Sequence, residues 1–405
     1  VVTNGGLSWA SGGAWGWEVH VARDGHDRTV ARGSFPSVHE NDDGYVEEGS
    51  VGAFAAAGNM ALLELRGRSG SSKYDQYDDT SSVAMIDLKT GHVGSLGGCS
   101  AHVDAFNGPG AGSPVGAQFA TDGEHAIVSV CGGSRFVDAR GKTTATALGD
   151  LGGGVVAGEH VAQQLTAGVV VRDWKTGETL YTVPTPADTL RSAFALMPDG
   201  ALAISRFTTQ EPGCASGTLT WASPAMPGGM LLPVAPCTLD LSAGGARAVV
   251  VAEASDGPGR VLAEISAAQP RRDVAWLGTG AGFVGGIDAR EGPAAYALAC
   301  GDNARLLRAG NDATPHGVDC PDLRLYDQTT TGNTLLVRAS VAAAATARVT
   351  ATVRVVGRTL RHTAVPRSGR LTFRFRLPVK ARRVEPELTL VYPGDAVYIR
   401  QLVRG

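Results

Sequence analysis

Two stretches, "SVAMIDLKTGHVGSL" (82–96) and "AGVVVRDWKTGETLYTV" (167–183), write the same local structure twice. In each, an alternating apolar run ends in Asp, a Lys-Thr-Gly turn follows, and a second run leads back. A lone hairpin cannot bury its apolar face, so a chain that repeats one needs an architecture that repeats with it. Related hairpins occur at 16–33, 134–148 and 217–234, with weaker copies at 260–277 and 304–318. Most are preceded by a further strand pair around a small turn: 51–67, 117–130, 193–207, 239–253 and 284–300. Their Asp-Gly and Gly-Gly turns are hairpin chemistry.

Four antiparallel strands per unit, repeated radially, describe a blade of a β-propeller. The expected fold is all-β, with seven blades favoured by the seven hairpins and six as the fallback. The hairpin at 16–33 shows no leading pair of its own. "CPDLRLYDQ" (320–328) is therefore expected to return to it and close the ring, which removes exposed sheet edges. The Asp-x-Lys-Thr-Gly hairpins and the "PDG" and "TDG" turns resemble the divergent WD40-like and YVTN-type propellers of secreted bacterial proteins, over about residues 10–330. The Gly-His and Trp-Asp signatures of WD40 repeats are missing, so the resemblance implies a fold and no partner.

After "TTTGN" (329–333) apolar residues alternate with Arg and Thr, the period of half-buried strands. The end of the chain, "LTLVYPGDAVYIRQLVRG" (388–405), resembles the closing strands of bacterial Ig-like repeats through Tyr392, Gly394, Asp395 and Tyr398. That family is a spacer and adhesion module. The expected division is a β-propeller over 1–330 and an Ig-like β-sandwich over 334–405, joined by a linker at 329–333. Residues 334–405 hold 14 Lys and Arg against three Asp and Glu, a net of +11, and residues 1–333 carry a net of −14. Opposed patches steer encounter and set register. They can meet within one molecule or head to tail between molecules, as a homo-oligomer or filament. An anionic cell-envelope polymer competing for the basic part is a third partner. The candidate donors are Arg354, Arg358, Arg361, Arg374 and Arg376. No nucleic-acid partner is expected.

The short turns of a blade emerge on one face and its long connections on the other. Three long connections stand out, 34–50, 66–82 and 98–114, and long loops on a rigid scaffold are where binding usually lives. They bring together Tyr45, Tyr74, Tyr77 and His102 as candidate binding residues. Asp42, Asp43, Glu47, Asp75, Asp78 and Asp79 are dense enough to hold Ca²⁺, although their order is not that of an EF-hand. Solvated acidic loops are the competing reading, and no other cofactor is expected.

Cys99, Cys131, Cys214, Cys237, Cys300 and Cys320 form no CxxC pair, which argues against a zinc site. An even count without metal spacing points to disulfides and an oxidising compartment. Sequence neighbours suggest Cys99–Cys131, Cys214–Cys237 and Cys300–Cys320 among fifteen pairings. The chain starts at Val1 and contains no apolar stretch of 18 residues, so a secreted or cell-surface protein without a membrane-spanning segment is expected. No G-x-S-x-G, H-E-x-x-H or P-loop pattern occurs, and "GTGAGF" (278–283) reads as a turn. His39, His102, Asp104 and His125 offer material for acid–base chemistry, since His titrates near neutral pH, but nine histidines scattered over the chain read as surface or loop residues. Trp9, Trp15 and Trp17 read as packing residues rather than a sugar platform. A non-catalytic extracellular protein for binding or self-assembly is the favoured function. The alternative is a propeller enzyme acting on an extracellular polysaccharide, as hydrolase or lyase.

Overall fold

The computed structural model describes the chain except residues 1, 4–5, 14–15, 36–44, 72–75, 105–116, 131–132, 149–150, 152–153, 256–257, 280–285, 291, 301–302, 311–312, 315–322, 343–346, 356–357, 379–383, 393–394 and 401–405. Strands dominate it. The first sheet is β1 (Val2–Thr3), β2 (Gly6–Gly13), β3 (Gly16–Arg23) and β4 (His26–Ser34); the second is β5 (Tyr45–Ala57), β6 (Met60–Ser71), β7 (Gln76–Asp87) and β8 (Val93–Asp104). A third holds β9 (Ala117–Thr121), β10 (His125–Val130) and β11 (Gly133–Asp138). Then come β12 (Val155–Ala157), β13 (His160–Leu165), β14 (Gly168–Asp173) and β15 (Thr179–Pro184), followed by β16 (Arg191–Leu196), β17 (Leu202–Phe207), β18 (Gly217–Ser223) and β19 (Met226–Leu232). The sixth sheet is β20 (Pro236–Gly244), β21 (Arg247–Glu253), β22 (Arg260–Ile265) and β23 (Arg272–Gly278), and β24 (Ala295–Cys300) and β25 (Asn303–Arg308) follow. The chain finishes with β26 (Leu323–Thr331), β27 (Thr334–Val341), β28 (Arg348–Val355), β29 (Arg358–Ala364), β30 (Arg370–Arg376), β31 (Glu385–Tyr392) and β32 (Asp395–Arg400).

The repeated turn has a local cause. Asp87 Oδ1 accepts from the backbone N–H of Lys89 and Thr90, at 2.8 and 3.2 Å, and Gly91 takes φ +76°. Asp173 does the same for Lys175 and Thr176, with Gly177 at φ +76°. A side-chain cap followed by a left-handed residue closes the hairpin, and only glycine takes that conformation without strain.

Through β23, successive sheets are antiparallel meanders in chain order, stacked face to face. Val249 and Val251 of β21 pack forward with Tyr296 and Leu298, while Val250 packs back with Leu219 and Trp221. That is why β21 reads as an unbroken apolar run: it is buried on both faces. Similar clusters join the first sheet to the second, the second to the third, the third to the fourth and the fourth to the fifth. Leu7, Trp9 and Ala22 of the first sheet pack on Ala295, Val391 and Ala396, which closes the circle. The architecture is a β-propeller.

Closure differs from the expectation. The hairpin at 16–33 has its own leading strands, β1 and β2, and β26 does not pair with it. Leu323 of β26 is instead buried in the core between the C-terminal sheets, drawing that strand onto β27. Residues 329–333, expected as a linker, are the end of β26 and its turn into β27. The weak hairpin at 304–318 is also replaced, because β25 takes β32 as its neighbour. The order β24-β25-β32-β31-β28-β29 therefore makes one sheet from propeller and C-terminal strands. The second C-terminal sheet, β26-β27-β30, packs on it around Val337, Phe373, Val349, Val353 and Leu390.

The expected long connections of the second sheet are in large part strand. All of β5 to β8 run 12 or 13 residues, about twice the strands of the fourth sheet, and pair along most of their length, with the register shifting at Val51/Phe54 and again at Ser82/Ala84. Gly, Ser and Asp read as loop formers, but pairing across the sheet satisfies their backbone groups. Cys214 and Cys237 are disulfide-bonded, Cys99 is also in a disulfide, and no cysteine is free among the described residues. Cys214 lies between β17 and β18 and Cys237 on β20, so this bridge joins two sheets rather than stapling one. Cys131 and Cys320 lie outside the described residues.

Candidate functional site

The densest chemistry lies where the circle closes. On β3, Trp17 and Val19 point into the second sheet, which leaves Glu18 and His20 on the opposite face with Trp9 and Ser11 of β2. On β28, Val349, Ala351, Val353 and Val355 fill the C-terminal core, so Arg354 points the other way, as does Glu387 of the neighbouring β31. The two polar faces meet. Arg354 Nη1 donates to Glu387 Oε2 at 2.6 Å, and Nη2 donates to Ser11 Oγ at 2.9 Å and Glu18 Oε2 at 3.2 Å. Arg361 Nη2 donates to the same Glu18 oxygen at 2.8 Å. His20 sits 3.1 Å from Asp27 through Nδ1 and 3.2 Å from Ser11 Oγ through Nε2, stacked on Trp9 with ring centroids 5.0 Å apart. Arg354 is 2% exposed and His20 is wholly buried.

Charges taken out of water survive only when paired. Burial works to raise the Glu18 pKa, but the hydrogen bond to His20 and the charges of Arg361, His20 and Arg354 prevail and hold it at about 2. Burial likewise works against the His20 proton, yet hydrogen bonds to Asp27 and Glu18 and the charges of Asp27 and Glu387 raise its pKa above the ordinary 6.5. With His20 protonated, three cations (Arg354, Arg361, His20) face three anions (Glu18, Asp27, Glu387).

Ser11, His20 and Asp27 have the contacts of a nucleophile, base and orienting acid. The electrostatics work against that chemistry. The Ser11 oxygen is occupied by Arg354 and Ser11 is 4% exposed, and the carboxylates around His20 favour its protonated form, which has no lone pair with which to take the serine proton. As it stands, the arrangement is an ionic clasp between the first and last sheets.

Two of the five arginines expected to meet a partner, Arg354 and Arg361, are engaged in this clasp, while Arg358, Arg374 and Arg376 are exposed. Sequence reasoning missed Ser11, Glu18, His20, Asp27 and Glu387. The available signal was a charged residue at alternate positions of "GWEVHVAR", which reads as a solvated strand face until its cover is known. Trp9 and Trp17 are buried packing residues, and His125 packs beside Phe136 and Trp174.

The elongated second sheet holds the acidic and tyrosine candidates. Arg68 makes a two-pronged ion pair with Asp79, at 2.7 and 3.0 Å, and lies 5.3 Å from the centre of the Tyr77 ring. Register sets Glu47, Ser69, Asp78 and His102 in one row across β5, β6, β7 and β8, and Tyr45 begins β5. Asp42, Asp43, Tyr74 and Asp75 lie outside the described residues, and no group of metal-binding side chains occurs among the described ones. At the base of the extension, the buried Glu64 accepts from Arg66, Ser81 and the backbone N–H of Ala53 and Ala117. Burial works to raise its pKa, but these hydrogen bonds outweigh it and lower it. On the short-turn side, a cavity of about 550 Å³ is lined by Arg247, Glu264, Gln269, Arg272 and Arg290, with Glu264 held by Arg247 and Arg272.

No family model matches the chain, and no curated protein matches it. Among solved structures it is similar to the β-propeller domain of the Trilobed protease from Pyrococcus furiosus, at 10% identity and TM-score 0.38, covering 73% of this chain and 90% of that one. It is similar to the dihydro-heme d1 dehydrogenase NirN in complex with DHE, at 12% identity and TM-score 0.33, covering 80% and 72%. A eukaryotic initiation factor is similar at 10% identity and TM-score 0.34, covering 94% and 95%.

Proposed function

We propose that this chain is a non-catalytic binding protein of the cell exterior. It is a seven-bladed propeller whose last blade is completed by an Ig-like C-terminal unit, and it recognises its partner through the elongated second sheet. One observation carries the reading: β5 to β8 extend the sheet well past the length of other strands in the ring and display Arg68, Tyr77 and Asp79 on it. A rigid sheet holds such groups with little ordering cost on binding. The Cys214–Cys237 bridge supports an oxidising location.

The test is a glycan and envelope-polymer array probed with the intact chain and with a variant in which 69–78 is replaced by Asn-Gly. The intact chain is expected to give partner-specific signals that the shortened variant loses. Signals that survive the deletion would remove the second sheet from the reading, and turnover of a bound glycan would reverse the non-catalytic assignment.

A hydrolase reading draws on the Ser11–His20–Asp27 contacts alone. It requires Ser11 to be reached and His20 to be neutral, and a fluorophosphonate probe labelling Ser11 in the folded protein would establish it.

A further inference from the structure

The outer face of the sheet β26-β27-β30 is a cationic ladder that the clasp does not use. Leu371, Phe373 and Phe375 of β30 point into the C-terminal core, so Arg370, Thr372, Arg374 and Arg376 face outward and are exposed. Register places Ser340 beside Arg370, Arg338 beside Thr372, and Thr334 beside Arg376. On the far strand, Arg324 lies opposite Ser340 and Asp327 opposite Arg338, with which it forms an ion pair. Arg370, Arg374 and Arg376 have no carboxylate partner among the described residues. Tyr326, at the irregularity in β26, is 54% exposed.

Alternate residues of a strand stand about 7 Å apart, so Arg374 and Arg376 are neighbours on the ladder and Arg370 lies about 13 Å from Arg374. Guanidinium groups stay charged and grip carboxylate or sulfate in a two-pronged fashion. Thr372, Thr334 and Ser340 supply hydroxyls between them. We infer that this face binds a linear anionic polysaccharide, its carboxylate or sulfate groups meeting Arg370, Arg374 and Arg376 in succession along β30. Single-stranded nucleic acid is held by rows of stacking aromatics, and this face offers one tyrosine. A membrane surface calls for apolar groups that insert between lipids, and the outward positions here are mainly Arg, Thr and Ser.

The inference rests on the binding-protein reading but uses a different surface, so the two fail separately: shortening 69–78 leaves this ladder untouched. The experiment is calorimetry and salt elution with heparin (sulfate) and polygalacturonate (carboxylate) as probes. A single-stranded oligonucleotide and anionic vesicles run in parallel. The wild-type chain is expected to bind at least one of the two polysaccharides with affinity that falls as salt rises. The Arg370→Gln/Arg374→Gln/Arg376→Gln variant is expected to bind at least about tenfold more weakly with a shallower salt slope, because about three ionic contacts are gone. Its melting temperature should match the wild type, and Arg374→Gln alone should weaken binding in the same sense.

Four outcomes overturn the inference. One is no binding to either polysaccharide at low salt, and another is equal binding by the triple variant. The third is equally tight, equally arginine-dependent binding of the oligonucleotide or the vesicles. A rise in mass by light scattering without polymer, lost in the triple variant, would assign the face to a second copy of the chain instead.

Discussion

The contact between the fifth and sixth sheets and the contact that closes the ring solve one packing problem in two ways. Between the fifth and sixth sheets, Ala203, Leu219, Trp221, Val250 and Val261 interlock, and a disulfide ties the pair. At closure the apolar patch of Leu7, Trp9 and Ala22 is smaller, and three carboxylates, two arginines and a buried histidine complete it. Apolar packing is strong but tolerant of small shifts, whereas a buried ion network has one arrangement in which every charge is met. The closing partners stand 336 residues apart for Glu18 and Arg354, where no short connection fixes register. The ions supply specificity where the chain supplies least.

The sharpest way to break this comparison is Arg354→Leu. It leaves Glu18 and Glu387 buried without their main cation, and the expected loss is about 3–5 kcal/mol by urea denaturation. Converting the group to apolar and neutral residues together, as Arg354→Met with Glu18→Gln and Glu387→Gln, should recover most of that loss. If the single substitution costs under about 1 kcal/mol, the clasp is peripheral and closure rests on Leu7 and Trp9.

Acid is the next largest lever. Glu18 has a folded-state pKa below its unfolded value, so its contribution is present above pH 4.5 and lost as pH falls toward 2, on the order of 3 kcal/mol. His20 has the opposite sign. Its raised pKa stabilises the fold below 6.5, and that part is lost as pH rises through the folded value. Glu18→Gln should flatten the acid arm of a stability–pH profile, and His20→Gln the alkaline arm. Unchanged arms in both variants would mean that neither group titrates between the folded and unfolded states as the geometry requires.

The sequence makes the repeating hairpins legible because their cause is local: an aspartate two residues before two free N–H groups, and a glycine where the chain turns left-handed. The elongated sheet is harder to see. Asp78, Ser81 and Gly98 resemble loop residues singly, and only pairing with Ser69, Arg66 and Ser82 makes them strand. The clasp is hardest. Arg354 and Arg361 stand out as cations in a basic segment, but Glu18 lies 336 residues from Arg354, and Glu387, 33 residues from it, reads as an ordinary surface acid until β28 and β31 are known to pair. The charge imbalance of −14 and +11 signals that the halves attract, without saying whether they belong to one molecule.

On the apolar side of the comparison, Cys214→Ser/Cys237→Ser should cost about 3 kcal/mol, for a bridge spanning 23 residues. The double variant should stay folded, because Val250, Val261 and Leu219 continue to hold the two sheets. Melting temperatures of the wild type and the double variant, both without reductant, check this cost, because reductant would also open the disulfide of Cys99. Collapse of the whole fold in the double variant would show that this interface depends on its covalent tie as much as the closing one depends on its ions.

The smallest expected effect separates a buried ion pair from an exposed one. Arg68 and Asp79 meet at 2.7 Å with good two-pronged geometry, yet Arg68 is 51% exposed. Water already solvates both groups, so breaking the pair leaves no buried charge behind, and exposed pairs contribute roughly 0.2–1 kcal/mol. Arg68→Ala should therefore lower stability by an amount in that range, shrinking further in high salt, although its distance to Asp79 is no longer than the buried 2.6 Å contact of Arg354 is to Glu387 by more than 0.1 Å. The same substitution strips the cation from the Tyr77 ring, so its effect on array binding should exceed its effect on stability. A loss of 3 kcal/mol or more, on the order expected for a buried pair, would mean that distance rather than burial sets the strength of these pairs. The contrast between the two regions would then fail at its root.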